Sequence, residues 1–516
     1  MKKRSGNDNG PRRRKYRAKA PEEWSPLGVL VHEIDELIAE HKLDRDAVEI
    51  DISKVLNDEE YKDTAHATVE GVKIVKHTSN GDGLAILPAT EAITKPRVVV
   101  VPFTYPGDEV TIRVFKSHPT HVEADLLAVT KSSDLRDDSL IKCVYFGRCS
   151  GCQFQNTSYD NQLELKRQTI VNAYKFFAKT TKIPEVSPTQ SSPQQYYYRT
   201  KLTPHFNMPM ANYKHNKPLE SCPPLGFGAK GRPEWRQTPG GSESILDIEE
   251  CVIGTPIVNV GMKNERLRLT KTFKDYRRGA TILLREDTTP LDADVPAGST
   301  DAEGQVSTLE ENGYRKSCAT NTRQIVHEVV NGYTFEFSAG EFFQNNNSIL
   351  PAVTSYVKSH LSLVGVEEPV LVDAYCGSGL FSITCSEGVS QVIGVEVSAD
   401  SVAFAKRNAE ANKVANARFV VGKAEQIFEG LDVDANKTSV ILDPPRKGCD
   451  EVFLSQLATF NPAKVVYISC NVHSQARDVE YFIKNTNGRY VVEEVKGFDF
   501  FPNTHHVESV AVLKRV

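Results

Sequence analysis

The chain has 516 residues, 40% of them apolar and 25% charged, and a formal net charge of −5. That length supports about three domains at the usual ~100–200 residues each. With no run of about 18 apolar residues and no secretory pattern at the start, neither membrane spanning nor secretion is expected. The ten cysteines are scattered, with one group at ligand-like spacing. In such a chain this favours metal binding or catalysis over a disulfide framework.

Charge is unevenly spread. Residues 1–19 carry nine Lys or Arg against Asp8 alone, so the remainder is strongly acidic. The segment 1–24 reads as a disordered basic arm that contacts nucleic acid or directs nuclear import. A nuclear or cytoplasmic location is expected; a mitochondrial one is disfavoured because the arm has almost no apolar face. Within a leader over 25–60, Leu27, Leu30, Val31, Ile34, Leu37 and Ile38 recur at helical spacing behind Ser25 and Pro26. They predict an amphipathic helix used for packing.

Residues 61–131 read as short strands with glycine turns, the pattern of a small barrel. The turn Ser79-Asn80-Gly81-Asp82-Gly83 and the later Pro106-Gly107-Asp108-Glu109-Val110 resemble a TRAM domain, an OB-like RNA-binding module. Lys73, Lys76 and His77 are its candidate phosphate contacts. Next, Cys143, Cys149 and Cys152 fall within ten residues, and Cys251 follows far downstream. This donor set suits zinc or an iron–sulfur cluster, and softness alone does not choose. Residues 132–340 form a mixed α+β region, with a helix over 163–177 and a β segment holding Arg199 and Lys201. The polar, weakly patterned stretch 286–322 is expected to be a surface insertion.

The densest chemistry lies in residues 341–516, where strands alternate with helices. Val370–Asp373 is followed by Ala-Tyr375-Cys-Gly377-Ser-Gly379, and Val392–Val395 ends in Glu396. A strand, a Gly-x-Gly turn and then an acidic residue at the next strand end make a nucleoside site, with the carboxylate on the ribose hydroxyls. The third glycine of the dinucleotide fingerprint is missing, which argues against NAD and fits S-adenosylmethionine. Val440–Leu442 ends in Asp443-Pro-Pro-Arg446-Lys-Gly448, and Val465–Ser469 ends in Cys470. A buried parallel strand that delivers a cysteine to its C-terminal end places a thiol where open α/β sheets keep their chemistry.

Four motifs in this order, Asp373-Ala-Tyr-Cys-Gly-Ser-Gly, Asp443-Pro-Pro-Arg-Lys-Gly, Ser469-Cys-Asn and Phe501-Pro-x-Thr-x-His-Val-Glu508, resemble the RNA uracil-C5 methyltransferases. The resemblance implies an α/β fold: a C-terminal Rossmann-like methyltransferase domain with a parallel-rich sheet, an N-terminal TRAM barrel and a central α+β domain. It implies tRNA as partner and methylation of a T-loop uridine, position 54, with Cys470 as nucleophile and Glu508 as base. Gln344, Tyr375, Glu396 and Asp443 are then the contacts to S-adenosylmethionine. It further implies that Cys143, Cys149, Cys152 and Cys251 hold a [4Fe-4S] cluster of structural role, and it leaves His505, His506, Arg446 and Glu425 as lesser candidates. Val472 stands where many members have proline. Uracil C5 is too weak a nucleophile to take a methyl group unaided, and a thiolate on C6 supplies the missing electron density. A ribosomal RNA substrate, a cytosine substrate and a non-catalytic tRNA-folding role stay open. A monomer is expected, since no heptad pattern is readable.

Overall fold

The computed structural model describes residues 21–50, 67–89, 95–231, 244–291, 306–422, 427–428 and 432–516. The arm 1–19, Glu425 and residues 292–305 lie outside them. Among the described residues no helix is long and apolar enough to cross a membrane.

The leader helix Pro26–Glu40 starts where its sequence says it should. Ser25 Oγ accepts from the Gly28 N–H and Pro26 opens the first turn, which satisfies one free donor and pre-sets φ. Its apolar face, Leu30, Ile34, Leu37 and Ile38, packs on Leu84, Val98 and Val100 of the barrel. On the same face buried Glu33 accepts from the Ser79 N–H and hydroxyl at 2.7 and 2.6 Å.

In the barrel, Thr68–Lys73 pairs with Glu109–Ser117, while Lys76–His77, the continuation of the same bent segment, pairs with Asp82–Leu87. The six-stranded sheet is thereby brought round on itself, which leaves fewer free strand edges. Valine and isoleucine side chains fill it, among them Val72, Ile74, Val99, Val101, Val110 and Ile112. Two of the three expected phosphate contacts do not stand free. Lys76 is tied to Glu36 and Glu40 of the leader at 2.5 and 2.7 Å. His77 stacks on Tyr105, and burial pushes its imidazole down to about 4. Packing of the leader on this edge explains Lys76, and Tyr105 and Phe154 cover His77, neither visible to local charge counting. Lys73 remains exposed.

The central region holds the helix Tyr159–Phe177, which begins four residues before the apolar pattern because Ser158 caps it. The stretch 286–322 is not an irregular loop over its described part. Leu284–Pro290, Thr308–Glu311 and Tyr314–Ala319 form an antiparallel sheet together with Lys201–Leu202. Its threonines and alternating charges suit a half-solvated sheet face, and polarity alone had concealed that.

The C-terminal domain is built on an eight-stranded sheet in the order Ala417–Val421, Gln391–Glu396, Val370–Ala374, Thr438–Leu442, Lys464–Ser469, Glu508–Arg515, Tyr490–Phe498, Ser187–Gln190. The first five strands are parallel, and Glu508–Arg515 runs antiparallel between two neighbours. Alternate side chains feed two cores. Val372, Val440, Val465 and Tyr467 face the helices Glu451–Phe460 and Val472–Asn485. Leu371, Ile441, Val466 and Ile468 face Leu350–Leu361 and Phe335 and Phe337 of the hairpin Ile325–Ser338. Each fully buried aliphatic of this kind contributes roughly 1.5–3 kcal/mol. This is the expected α/β class, with a sheet covered on both faces. The strand order reverses between Val370–Ala374 and Thr438–Leu442, and such a switch point opens a crevice at the C-terminal strand ends.

Candidate functional site

Register alone assembles most of the site. Ala374 pairs with Val395 on one side and Leu442 on the other, so one residue further Tyr375, Glu396 and Asp443 share a row. In the antiparallel pair Ser469 lies opposite Ser509, so the next step sets Cys470 opposite Glu508. All five line one cleft of about 1230 Å³, together with Gln344, Arg446 and the apolar Phe342, Leu380, Phe381 and Val397. The structure therefore brings together all six residues predicted to act on substrate or methyl donor.

Local chemistry holds each in place. Tyr375 adopts φ 67°, a left-handed conformation uncommon for a residue with a side chain. Gly379, at φ 94°, opens the short helix Leu380–Thr384, and a Cβ there would press on Ile383 and Ala405. Glu396 Oε2 accepts from the Gly377 N–H at 3.3 Å and Oε1 from the Ser398 N–H at 2.9 Å. The carboxylate is thus fixed with lone pairs left for a ribose diol. Asp373, beneath the Gly-x-Gly turn, accepts from the Ser382 hydroxyl at 2.5 Å while its other oxygen is buried without a partner.

Cys470 and Glu508 sit beside two braced loops. Cys470 ends its strand, and Asn471 caps the helix Val472–Asn485. The Asn471 amide and the Ser474 hydroxyl both donate to the Arg446 carbonyl, at 3.0 and 3.1 Å, tying this loop to Asp443–Gly448. Gly448, at φ 79°, admits no side chain because Asp478 and Arg477 crowd it. Val472 occupies the first helical turn, a position that suits proline, and its buried side chain joins the core instead. On the other side, Lys166 and Asp499 form an ion pair at 2.5 Å with neither side chain exposed. Lys166 also donates to the Phe501 carbonyl at 3.0 Å, so the helix Tyr159–Phe177 anchors the turn that leads to Glu508.

Electrostatics separate resting from reacting states. Burial, then the charges of Glu508 and Asp443, push the Cys470 thiol up to about 12, and Arg446 acts against them. Burial and Asp443 raise Glu508 to about 8, again with Arg446 opposing. Burial raises Asp373 and Asp443 to about 7. A cleft crowded with acidic groups and short of cations suits a ligand that brings positive charge.

The other expectations divide. Arg199 does not face solvent as a phosphate clamp: its guanidinium lies 5.2 Å over the Phe501 ring and donates to the Lys201 carbonyl. Lys201 reaches toward the Gly340 and Glu341 carbonyls. Both brace loops at the site. Cys143, Cys149, Cys152 and Cys251 come close enough to raise one another's thiols, on top of burial. No three of their sulfurs approach within 4.8 Å of one another, unlike the donor atoms of His118, His121 and Glu123. That is wider than the tetrahedron of a single zinc, whereas a four-iron cluster spans more space. The N–H groups of Gln153 and Phe154, just beyond Cys152, donate to the Asn503 carbonyl at 3.0 Å, which links the quartet to the turn before Glu508. Sequence reasoning gave no separate role to Asp373, which is buried beneath the Gly-x-Gly turn and outside the cleft lining. It also missed Phe342, 73% exposed at the rim, since nothing local distinguishes an exposed aromatic.

Known proteins share these features. Residues 318–516 match the family model described as tRNA (Uracil-5-)-methyltransferase, and residues 64–127 match the TRAM domain. The tRNA (uracil(54)-C(5))-methyltransferase of Saccharomyces cerevisiae is 53% identical over 98% of this chain and 84% of its own length. Its namesake from Schizosaccharomyces pombe is 43% identical over 86% and 78%. Among solved structures, the Pyrococcus abyssi tRNA (uracil-54, C5)-methyltransferase in complex with S-adenosyl-L-homocysteine superposes with a TM-score of 0.57 at 23% identity, over 86% of this chain and all of that one, a likeness of fold. With identity of this order over nearly its whole length, the chain belongs to the tRNA (uracil-5-)-methyltransferase family.

Proposed function

We propose that this chain methylates C5 of uridine 54 in the T-loop of tRNA, using S-adenosylmethionine. One observation carries the reading: a strand-end thiol, Cys470, and a buried carboxyl, Glu508, stand opposite one another at the end of a cleft whose other wall is the Tyr375–Glu396–Asp443 row. The relatives' names supply the substrate.

Bound S-adenosylmethionine supplies an electrophilic methyl group on a sulfonium. Glu396 holds the ribose end, Tyr375 and the apolar wall of Phe381 and Val397 take the flat base, and Gln344 and Asp443 flank the reacting end. Cys470 Sγ, as thiolate, forms a bond to uracil C6. The displaced electron pair makes C5 enolate-like, and C5 takes the methyl group as the S–CH3 bond breaks and its electron pair stays on sulfur, leaving a neutral thioether. Glu508, as carboxylate, removes the C5 proton, the electrons re-form the C5=C6 double bond, and the C6–S bond breaks to return the thiolate. Arg446, the cation that opposes the rise of both groups, favours the ionised states the reaction needs. A uridine stacked inside a folded loop must first be extruded.

The four cysteines fit a [4Fe-4S] cluster better than a single ion, and its role is to fix the central region against the Phe501–Glu508 turn. Iron and sulfide analysis of anaerobically purified protein tests this, with close to four irons per chain expected. The basic arm 1–19 adds RNA affinity.

The function is tested with a tRNA bearing 5-fluorouracil, whose C5 fluorine does not leave as a cation. Wild type with S-adenosylmethionine should give a denaturation-resistant adduct at position 54, and Cys470→Ala none. An adduct mapped to ribosomal RNA fragments alone would overturn the choice of substrate.

A further inference from the structure

Cys470 has a second side. Behind the cofactor cleft lies a smaller chamber of about 190 Å³, and Cys470 and Arg446 line both. Its other walls come from three parts of the chain: Trp24 and Pro26 ahead of the leader helix, Ser79 and Asn80 of the barrel turn, and His473, His505 and His506 of the C-terminal domain. The Asn80 amide donates to the Pro26 carbonyl at 3.0 Å, closing the seam between leader and barrel.

The lining is specific in chemistry. The His505 and His506 rings stand 4.2 Å apart at 32°, and the Arg477 guanidinium packs 5.3 Å from the Trp24 ring, holding the indole at the rim. His473 is only 9% exposed, and its Nε2 has no hydrogen-bond partner. A buried polar atom left unpaired is costly, and His473 lines a space that a ligand can fill. Burial keeps these imidazoles neutral, so they offer ring faces and single hydrogen bonds instead of a phosphate clamp. At roughly 30 Å³ per water the space holds about six waters, the scale of one nucleobase.

We propose that this chamber binds the RNA base adjacent to the target uridine, between the Trp24 indole and the His505–His506 pair, with His473 Nε2 bonded to its edge. The inference rests on the RNA-methylating reading above. When the uridine enters the cleft onto Cys470, the next nucleotide is one phosphate away and must leave the stack too. The chamber on the far side of the same cysteine receives it. The leader and the barrel thus become part of substrate recognition at the reacting atom, and neither the TRAM match nor the family match reaches Trp24.

The test uses the full chain and T-arm hairpin RNAs in which each nucleotide flanking the target is made abasic in turn. Affinity is read by fluorescence anisotropy without methyl donor, and methylation of the intact hairpin is measured on the same preparations. With wild type, one flanking abasic site should weaken binding about ten-fold or more, the scale of one base–aromatic stack. With Trp24→Ala that site should cost nothing further, and Trp24→Phe should restore the dependence. His473→Gln, checked for an unchanged melting temperature, should reduce the penalty at the same position. Equal penalties in wild type, Trp24→Ala and His473→Gln at every position overturn the proposal while intact methylation leaves the function standing. Failure of wild type to bind or methylate any hairpin overturns both.

Discussion

The barrel and the methyltransferase cleft both bury charge, and they treat it in opposite ways. In the barrel, Asp108 is fully buried beneath Arg136 at 2.9 Å and also accepts from the Tyr105 and Ser133 N–H groups. Arg113 is paired with Asp125 at 3.0 Å. Beneath the cleft Asp373 has an unpartnered oxygen and raises Asp443, while Asp443 raises Glu508 and both raise Cys470, with Arg446 opposing the last two rises. Complete pairing locks a shape, since breaking a buried pair is costly. Incomplete pairing stores free energy that a cationic, hydrogen-bonding ligand releases, which is how a binding site differs from a core.

Removing the reacting atom should have the largest effect. Cys470→Ala should lower methyl transfer by at least about 10⁴-fold, on the scale seen for nucleophile deletions, while binding of S-adenosylhomocysteine by calorimetry persists. Residual turnover above a hundredth of wild type would place the nucleophile elsewhere.

Asp108→Ala breaks the comparison from the barrel side. It should destabilise the protein by about 3–5 kcal/mol, the cost of leaving Arg136 buried and unpaired, as measured by chemical denaturation. The turnover of the molecules that remain folded should be unchanged.

In the cleft the same kind of change should have the opposite sign. Asp443→Asn removes a carboxylate that repels Asp373 and Glu508, so the ligand-free protein should melt higher, and more so at pH 8 than at pH 6.5. Affinity for S-adenosylmethionine should drop by about 10- to 100-fold, the loss of one to two charge-assisted hydrogen bonds. A lower melting temperature at both pH values would show that Asp443 is structural.

The smallest effect is the pH profile of stability without ligands. Asp373, Asp443 and Glu508 have folded values raised to about 7, 7 and 8. The folded state therefore holds protons that the unfolded chain has released, and stability falls as pH rises from about 6.5 to 8. His77, His473 and His506 are lowered to about 4. The unfolded chain takes their protons first, so their contribution to stability is lost as pH drops from about 6.5 to 4. Between about pH 4.5 and 6.5 the two sets oppose one another, and above about 6.5 the carboxyls act alone, so calorimetric scans should show stability falling from about pH 6.5 to 8, and less steeply in Glu508→Gln.

The catalytic motifs were legible because each is short and sits at a strand end. Asp443-Pro-Pro, Ser469-Cys-Asn and Gly377-Ser-Gly announce a turn by residues that few other conformations tolerate. Less was legible where a residue's fate depends on a distant partner. Lys76 looked like a phosphate contact until Glu36 arrived from the leader, and Arg199 until Phe501 lay beneath it. The strands Leu284–Pro290 and Tyr314–Ala319 were hidden because a half-solvated sheet reads as polar as a loop does.

Sequence alone thus determined the α/β class and the strand-end positions of Cys470 and Glu508, since periodicity and turn chemistry are local properties of the chain. Only the tertiary structure decided that these two stand opposite one another and that Gln153 and Phe154, beside Cys152, hold the turn before Glu508. It alone placed Trp24 on the far side of Cys470 from the cofactor cleft. Those facts follow from strand register and from packing across hundreds of residues, and no local pattern encodes either.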